Sequence, residues 1–131
     1  MIDKDEGIIV FSKKIKDNDL FIKVLSSKDK IISGMVYGGN SSKKKSKYQI
    51  GNFIDYSFFQ KNTNIPLTFK AEVIKPFISQ IINDKYKSYS LLSIIALVNL
   101  SIVEGQKIKN LYLSIKDIME NITMKKHWIS F

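Results

Sequence analysis

The segment from Tyr37 to Lys47 carries the densest chemistry of the chain, reading Tyr-Gly-Gly-Asn-Ser-Ser-Lys-Lys-Lys-Ser-Lys. Lysine occupies four of the five positions 43–47. Adjacent glycines, Asn and Ser favour irregular backbone, and clustered ammonium groups repel one another in a compact ladder. We therefore predict a long loop, neither helix nor strand, whose lysines face solvent or a polyanion.

Positive charge is concentrated around this loop. Residues 13–47 hold ten lysines against three aspartates, which is +7 of the chain's net +9, and all 21 basic residues are lysines. Lysine lacks the planar fork that reads a guanine edge, so this composition favours phosphate contact over sequence readout. If the second and third strands are neighbours, Lys30 could border the same face. The candidate contacts are Lys13, Lys14, Lys16, Lys23, Lys43, Lys44, Lys45 and Lys47, with Phe21 and Tyr37 as candidate stacking surfaces.

This combination of lysines and aromatic side chains is typical of proteins that bind single-stranded nucleic acid. Two plainer interpretations remain open. An isolated Lys-Lys-Lys run is often a solvated loop, and strand aromatics more often belong to a core. The orientation of Phe21, Tyr48, Tyr56 and Phe58 is left open by the sequence.

Residues suited to catalysis do not form a recognisable set. Gly34–Ser41 has phosphate-loop spacing, but Asn40 stands where that motif needs lysine, so the match is accidental. His127 is the only histidine and the chain has no cysteine, which argues against a metal site or a catalytic triad. Asp55 and Glu72 could meet across strands, where pairing with lysine is the ordinary role. We predict a protein that is not an enzyme and needs no cofactor.

Five short segments have the alternating or β-branched pattern of strands, and turns separate them at near-regular spacing. They are Gly7–Ser12, Leu20–Leu25, Lys30–Tyr37, Phe53–Gln60 and Leu67–Ile74. Residues 13–19 are predicted as a polar loop. Gly34 indicates a bend or the close approach of another backbone, as a small closed barrel requires. The pattern predicts a small β-barrel. In the fifth strand Leu67, Phe69, Ala71 and Val73 should face inward.

From Pro76 onward the spacing of apolar residues becomes helical. Asn83 and Asp84 are candidate caps for a first helix that runs to about Val103, with Gly105 as its stop. Because this helix is apolar on most faces, we predict that it is packed on more than one side.

A second helix is predicted over 107–121, with one apolar stripe. The stripe comprises Ile108, Leu111, Tyr112, Ile115, Ile118, Met119 and Ile122. Met124, Trp128 and Phe131 begin a third stripe, which makes the sequence look cut short.

The start of the chain and its most apolar segment do not predict a secreted or membrane-spanning protein. The acidic residues 1–6 do not resemble a signal peptide, and the apolar segment 91–103 is too short to span a bilayer. The polybasic loop also lacks an adjacent amphipathic helix or lipidation signal. We expect a cytoplasmic protein.

Four stretches in order carry a family resemblance: Asp5–Val10, Asn18–Leu20, Gly34–Ser41 with its basic continuation, and Gln49–Asn52. Their order and spacing resemble the bacterial recombination mediator family RecO. The resemblance covers about the first 75 residues and continues through the helices as a pattern.

The resemblance implies an OB-fold domain over 1–78, followed by a short, incomplete α-helical domain over 79–131. It implies a nucleoid-associated mediator of DNA recombination and DNA damage repair that binds single- and double-stranded DNA and anneals strands. The implied partners are RecR, for loading RecA, and the tail of single-strand-binding protein. The DNA role falls on the lysines of 13–16 and 43–47. A protein-interaction adaptor whose basic face docks an acidic peptide is the alternative.

Overall fold

The computed structural model describes residues 3–16, 18–42, 44–75, 84–101 and 107–124. A closed five-stranded barrel comes first and two α-helices follow. This architecture confirms the predicted OB-type barrel with a short helical part. The elements are β1 (Asp3–Ile15), β2 (Asp19–Ser26), β3 (Ile31–Val36), β4 (Phe53–Phe59), β5 (Leu67–Lys75), α1 (Lys85–Ser101) and α2 (Leu111–Met124).

The strands follow the order β1-β2-β3-β5-β4 around the barrel. All neighbours are antiparallel except β3 and β5, which pair in parallel at Gly34–Leu67 and Met35–Thr68. A Cβ atom on Gly34 would lie 2.5 Å from the Leu67 carbonyl oxygen. The predicted close backbone approach at this glycine is therefore confirmed, and it is what lets β3 and β5 close the barrel.

The barrel interior is apolar. Phe69 and Ala71 of β5 are buried whereas Lys70 and Glu72 are exposed, as the alternation in that strand predicted. Of the aromatic rings whose orientation the sequence left open, Tyr48 and Tyr56 are buried and Phe58 is half-buried. The buried members of this cluster are Ile9, Leu20, Ile22, Val24, Val36, Tyr48, Ile54, Tyr56, Phe69 and Ala71, with Phe58, Ile32, Leu67 and Val73 half-buried against them.

Strand β1 is longer than predicted because it pairs on both sides. Its first half pairs with β4 and most of its length pairs with β2. Lys13 and Lys14 lie opposite Phe21 and Leu20 in the ladder, so the prediction of a loop over 13–19 was wrong for 13–15, which belong to β1, whereas Lys16 and Asn18 lie in the turn that follows. Paired backbone accepts polar side chains wherever they reach solvent, and both lysines are exposed.

A β-bulge interrupts β1 between Ile9 and Phe11. Ile9 faces the interior, but the next two residues both face outward: Val10 packs with the helices and Phe11 packs against Phe21 of β2. Regular alternation would have sent Phe11 inward. The bulge therefore supplies the outer surface with one more aromatic ring.

Helix α1 begins where the cap signal predicted. Asp84 Oδ1 accepts the Lys87 N–H at 3.0 Å; the other candidate cap, Asn83, lies outside the described residues, as do Pro76, Val103 and Gly105. A second core forms where the helices meet the outer side of the barrel. It contains Ile8, Val10, Leu25, Ile31, Phe53, Leu91, Ile95, Val98, Tyr112, Ile115, Met119 and Ile122.

The prediction that α1 is packed on more than one side was wrong for this chain's described residues. Leu91, Ile95 and Val98 are buried, but Leu97 is 62% and Leu100 84% exposed. The barrel and α2 together cover one face of the helix, and Leu97 and Leu100 lie on the exposed side.

Helix α2 begins at Leu111, four residues after the predicted start. Asp29, in the β2–β3 turn, accepts the N–H groups of Asn110 and Tyr112, both at 2.9 Å. This distant carboxylate is the cap, which local sequence could not indicate. Of the predicted stripe, Ile108 and Ile118 are exposed and Leu111 is half-buried, whereas the buried members are Tyr112, Ile115, Met119 and Ile122. Trp128 and Phe131, with the side chain of Met124, lie outside the description.

Candidate nucleic-acid interface

The start of the basic loop is held against the β1–β2 hairpin. The Gly38 N–H donates to Asp19 Oδ1 at 2.9 Å, and the Asn40 N–H donates to the Asn18 carbonyl oxygen at 2.8 Å. Gly38 has a φ of +73°, a conformation that glycine adopts without steric cost. These bonds bring the loop beside the hairpin that carries Lys13, Lys14 and Lys16, which are all exposed.

The end of the loop forms a short 3-10 helix over Lys45–Tyr48. The prediction that the segment contains no helix was therefore wrong, and the cause is tertiary. Asn52 is buried and its Nδ2 donates to the carbonyl oxygens of Ser46 at 3.0 Å and Lys47 at 3.2 Å. The Ala71 N–H donates to the buried Tyr48 hydroxyl at 3.4 Å. Both contacts hold the turn against the barrel.

The lysines of the loop differ in exposure and in ion pairing. Lys44 and Lys45 are exposed, and Lys43 lies outside the described residues. Lys47 Nζ lies 3.2 Å from Glu72 Oε1 in an ion pair. Glu72 is also the register partner of Asp55, as the sequence suggested. An exposed pair of this kind adds little stability, but it reduces the positive charge that Lys47 offers to a ligand.

The outer surface of β1 and β2 combines aromatic rings with lysines. The Phe11 and Phe21 ring centroids are 6.2 Å apart, edge to face, and Lys23 Nζ lies 5.4 Å from the Phe11 centroid. Lys13 and Met35 are the register partners of Phe21 on either side. We call these five residues the aromatic–lysine face.

Three of these five residues, Lys13, Phe21 and Lys23, are candidates from the sequence, whereas Phe11 and Met35 are not. The candidate Tyr37 is 56% exposed directly after β3. Phe11 was missed because a bulge was not anticipated. The signal was the unbroken apolar run 8–11, which a strand with one inner face cannot bury by simple alternation.

Lys30 does not share this surface. It lies at the opposite end of the β2–β3 hairpin, where it forms an isolated bridge with Lys107 of the segment before α2. Asp19, the acidic residue nearest the face along β2, accepts a hydrogen bond from the Gly38 N–H. The positive potential of the aromatic–lysine face is therefore set by its lysines and those of the adjoining loops.

Asp5 is held in a structural network on β1. It accepts hydrogen bonds from the hydroxyls of Ser26 and Ser27 and from the Glu6 N–H at 2.8 Å. Burial alone would raise the pKa of Asp5, but these hydrogen bonds outweigh it and hold that pKa below its ordinary value of 3.8. The Tyr56 hydroxyl lies 3.4 Å away, and its pKa is raised chiefly by burial.

A companion contact lies beside this network. The Tyr112 hydroxyl donates to Glu6 Oε1 at 3.2 Å, and burial followed by the Glu6 charge raises the pKa of that hydroxyl. These groups join β1 to β4 and α2. Among the described residues, no group of three or more His, Cys, Asp or Glu side chains could hold a metal ion. No helix in the described part of the chain is long and apolar enough to cross a membrane.

Comparison with known proteins agrees with this architecture. The family model described as recombination protein O, N-terminal, matches residues 1–77. This chain belongs to the RecO family. The resemblance read from its four motifs is therefore confirmed.

Similar proteins include several from the genus Rickettsia. A DNA repair protein RecO of Rickettsia canadensis is 32% identical over 124 residues, which cover 93% of this chain and 50% of the relative. That of Rickettsia akari is 31% identical over 122 residues, 92% of this chain and 50% of the relative. The protein RP548 of Rickettsia prowazekii is 32% identical over 95 residues, 72% of this chain and 82% of the relative. The chain thus spans about half the length of the RecO relatives it matches.

Proposed function

We propose that this chain of the RecO family acts in DNA repair as a recombination mediator that binds single- and double-stranded DNA. The observation that carries the proposal is the aromatic–lysine face, where Phe11 and Phe21 are flanked by Lys13 and Lys23 beside the exposed lysines of two loops. Aromatic rings offer every base a surface to stack on, and lysines follow the phosphates without reading sequence. The names of the RecO relatives, which are DNA repair proteins, support the same role.

Strand annealing follows from the same physics. Two complementary strands repel each other through their phosphates, and lysines that neutralise part of this charge let the strands approach and pair. Loading of RecA together with RecR, and contact with the acidic tail of single-strand-binding protein, are the partner activities that we extend from the family to this chain.

The decisive test compares two quadruple variants with the same loss of charge. Lys13, Lys14, Lys44 and Lys45 become glutamine in the first, and the exposed Lys28, Lys61, Lys107 and Lys109 become glutamine in the control. If about four to six phosphates are contacted, the logarithm of single-strand affinity should fall with log salt at a slope of roughly −3 to −4. We expect the first variant to flatten this slope and to lose strand annealing. Equal effects of both variants would contradict the proposal.

The adaptor alternative has one observation in its favour, the exposed apolar side of α1 with Leu97 and Leu100. An adaptor would retain an acidic peptide after nuclease treatment has removed any nucleic acid. A pull-down with that peptide, with and without nuclease, separates the two functions.

A further inference from the structure

A cavity of about 310 Å³ lies at the side of the barrel opposite the β1–β2 pair. Strands β3 and β5 share only two register pairs, Gly34–Leu67 and Met35–Thr68, before this cavity opens toward Tyr37. The end of β4 and the 3-10 helix complete its walls. The residues that matter for its chemistry are Tyr37, Lys44, Lys47, Phe59, Phe69 and Lys70.

The inner part of the cavity is apolar and firmly held. Phe69 and Val36 belong to the barrel core, and Tyr48 presents a buried ring whose hydroxyl accepts the Ala71 N–H at 3.4 Å. Asn52 anchors the backbone at Lys47 through its Nδ2 atom at 3.2 Å. The floor and the 3-10 wall therefore do not have to be assembled when a ligand enters, which reduces the entropy lost on binding.

The rim combines two aromatic rings with three ammonium groups. Tyr37 is 56% exposed and Phe59 is half-buried. Lys44 and Lys70 are exposed at the mouth, and Lys47 is turned toward Glu72 at 3.2 Å. A planar apolar body that carries a negative charge at one edge matches this arrangement, because rings and floor accept the body while lysines accept the charge.

We propose that this cavity binds the base of an unpaired nucleotide, with its phosphate between Lys44 and Lys70. The inference rests on the proposed function and extends it, since it names a subsite away from the aromatic–lysine face. A base in a duplex is stacked and paired and cannot enter such a cavity without unstacking. The cavity therefore makes this chain favour single-stranded over double-stranded DNA.

Glu72 weakens the attraction of the cavity for a phosphate group. Its carboxylate holds Lys47 in an ion pair and adds a negative charge at the cavity wall. A phosphate that arrives must compete with this carboxylate for the ammonium group. Replacement by the neutral isostere, Glu72→Gln, releases Lys47 and strengthens single-strand binding about two- to fivefold, the range expected for one exposed pair.

The test measures binding of a short oligothymidylate and of a blunt duplex of equal length by fluorescence anisotropy. Phe59→Ala should weaken oligothymidylate binding about five- to fiftyfold, the loss of one stacked base, and change duplex binding less than about twofold. Lys70→Gln should weaken single-strand binding more than Lys61→Gln, which removes the same charge from an exposed lysine outside the cavity. Tyr37→Ala, at an exposed position, reports on stacking if Phe59→Ala does not fold.

The outcomes separate this inference from the proposed function. If the unmodified protein binds DNA with the expected salt slope but Phe59→Ala, Tyr37→Ala and Lys70→Gln each weaken both DNA forms equally, the cavity is not a base site and the proposed function stands. Displacement of oligothymidylate by an acidic peptide but not by thymidine monophosphate would also overturn the inference. If the protein binds neither DNA form, the proposed function fails as well.

Discussion

The two halves of strand β1 lie in the same ladder and serve opposite purposes. Ile8, before the bulge, and Val10, within it, lie under the helices, with 0% and 1% of their surface exposed. After it, Phe11 and Lys13 lie on the open aromatic–lysine face. One continuous strand therefore passes from the wall of the second core to the aromatic–lysine face within three residues.

The difference shows how a barrel strand changes its role without ending. A bulge places two consecutive side chains on one side and leaves a backbone group displaced from the ladder. Here the Asn99 Nδ2 of α1 donates to the Val10 carbonyl oxygen at 2.6 Å. The helix thus stabilises the irregularity that separates the two halves, so the aromatic–lysine face depends on a residue far from it.

The largest effect expected is at Ile8, in the covered half. Ile8→Ala removes a fully buried side chain from the second core and should lower the free energy of unfolding by about 2–5 kcal/mol. Phe11 lies on the other side of the bulge. Phe11→Ala should lower the free energy of unfolding by about 1 kcal/mol, because the ring is only half-buried. Urea unfolding measures both. Equal losses would remove the distinction between the two halves.

A second substitution removes the side-chain hydrogen bond to the bulge. Asn99→Ala leaves the Val10 carbonyl oxygen without its side-chain donor and should destabilise the protein by about 1–3 kcal/mol. We also expect weaker DNA binding, since Phe11 would lose its fixed orientation. Ser93→Ala, at an exposed position of the same helix, is the matched control for urea unfolding and anisotropy. Unchanged DNA affinity of the Asn99 variant would show that DNA binding does not depend on the bulge.

A third change tests how firmly the helices cover the first half of β1. Asp29→Ala removes the cap of α2 at a residue with a φ of +68°, and the expected loss is about 1–2 kcal/mol. Asp29→Asn tolerates this backbone conformation and keeps one acceptor oxygen, so it should lose less. Thermal unfolding should rank the proteins in that order. The reverse ranking would contradict the role of Asp29 as a cap.

The smallest effect concerns pH and Asp5, near the start of β1. Because the pKa of Asp5 lies below 3.8 in the folded protein, its carboxylate stabilises the fold above about pH 4. This contribution is lost as pH falls through the lower folded-state pKa. Asp5→Asn should therefore be less stable than the unmodified protein at neutral pH, by less than about 1 kcal/mol, and the difference should shrink in acid. Urea unfolding across this pH range measures it.

Individual residues show which features of the strands and helices could be predicted from local sequence. Alternation in 67–74 predicted which side chains of β5 face inward, and the Asp84 cap was confirmed because both signals are local. The extent of β1 was predicted poorly, since pairing with two neighbours extends a strand beyond its apolar run. The start of α2 was missed for a similar reason, because its cap comes from a turn about 80 residues earlier in the chain.

Some features of the candidate site also follow from the sequence, and others depend on tertiary contacts. Lysine clustering and the absence of arginine come directly from the chain and favour phosphate contact, whatever the fold. Whether a given aromatic ring is core or surface depends on the bulge at residues 9–11 and on the anchors of the 3-10 helix. Those are set by hydrogen bonds between distant residues, such as Asn99 to Val10 and Asn52 to Ser46.

Sequence by itself determined the five strands, the two helices, the family and the position of the positive charge, since each depends on local pattern or composition. Tertiary structure alone decided that Phe11 joins Phe21 and Lys23 outside the barrel, that Lys47 is paired with Glu72, and that a cavity opens between β3 and β5. The physical reason is that register and closure depend on contacts between segments far apart in the chain, which no local pattern encodes.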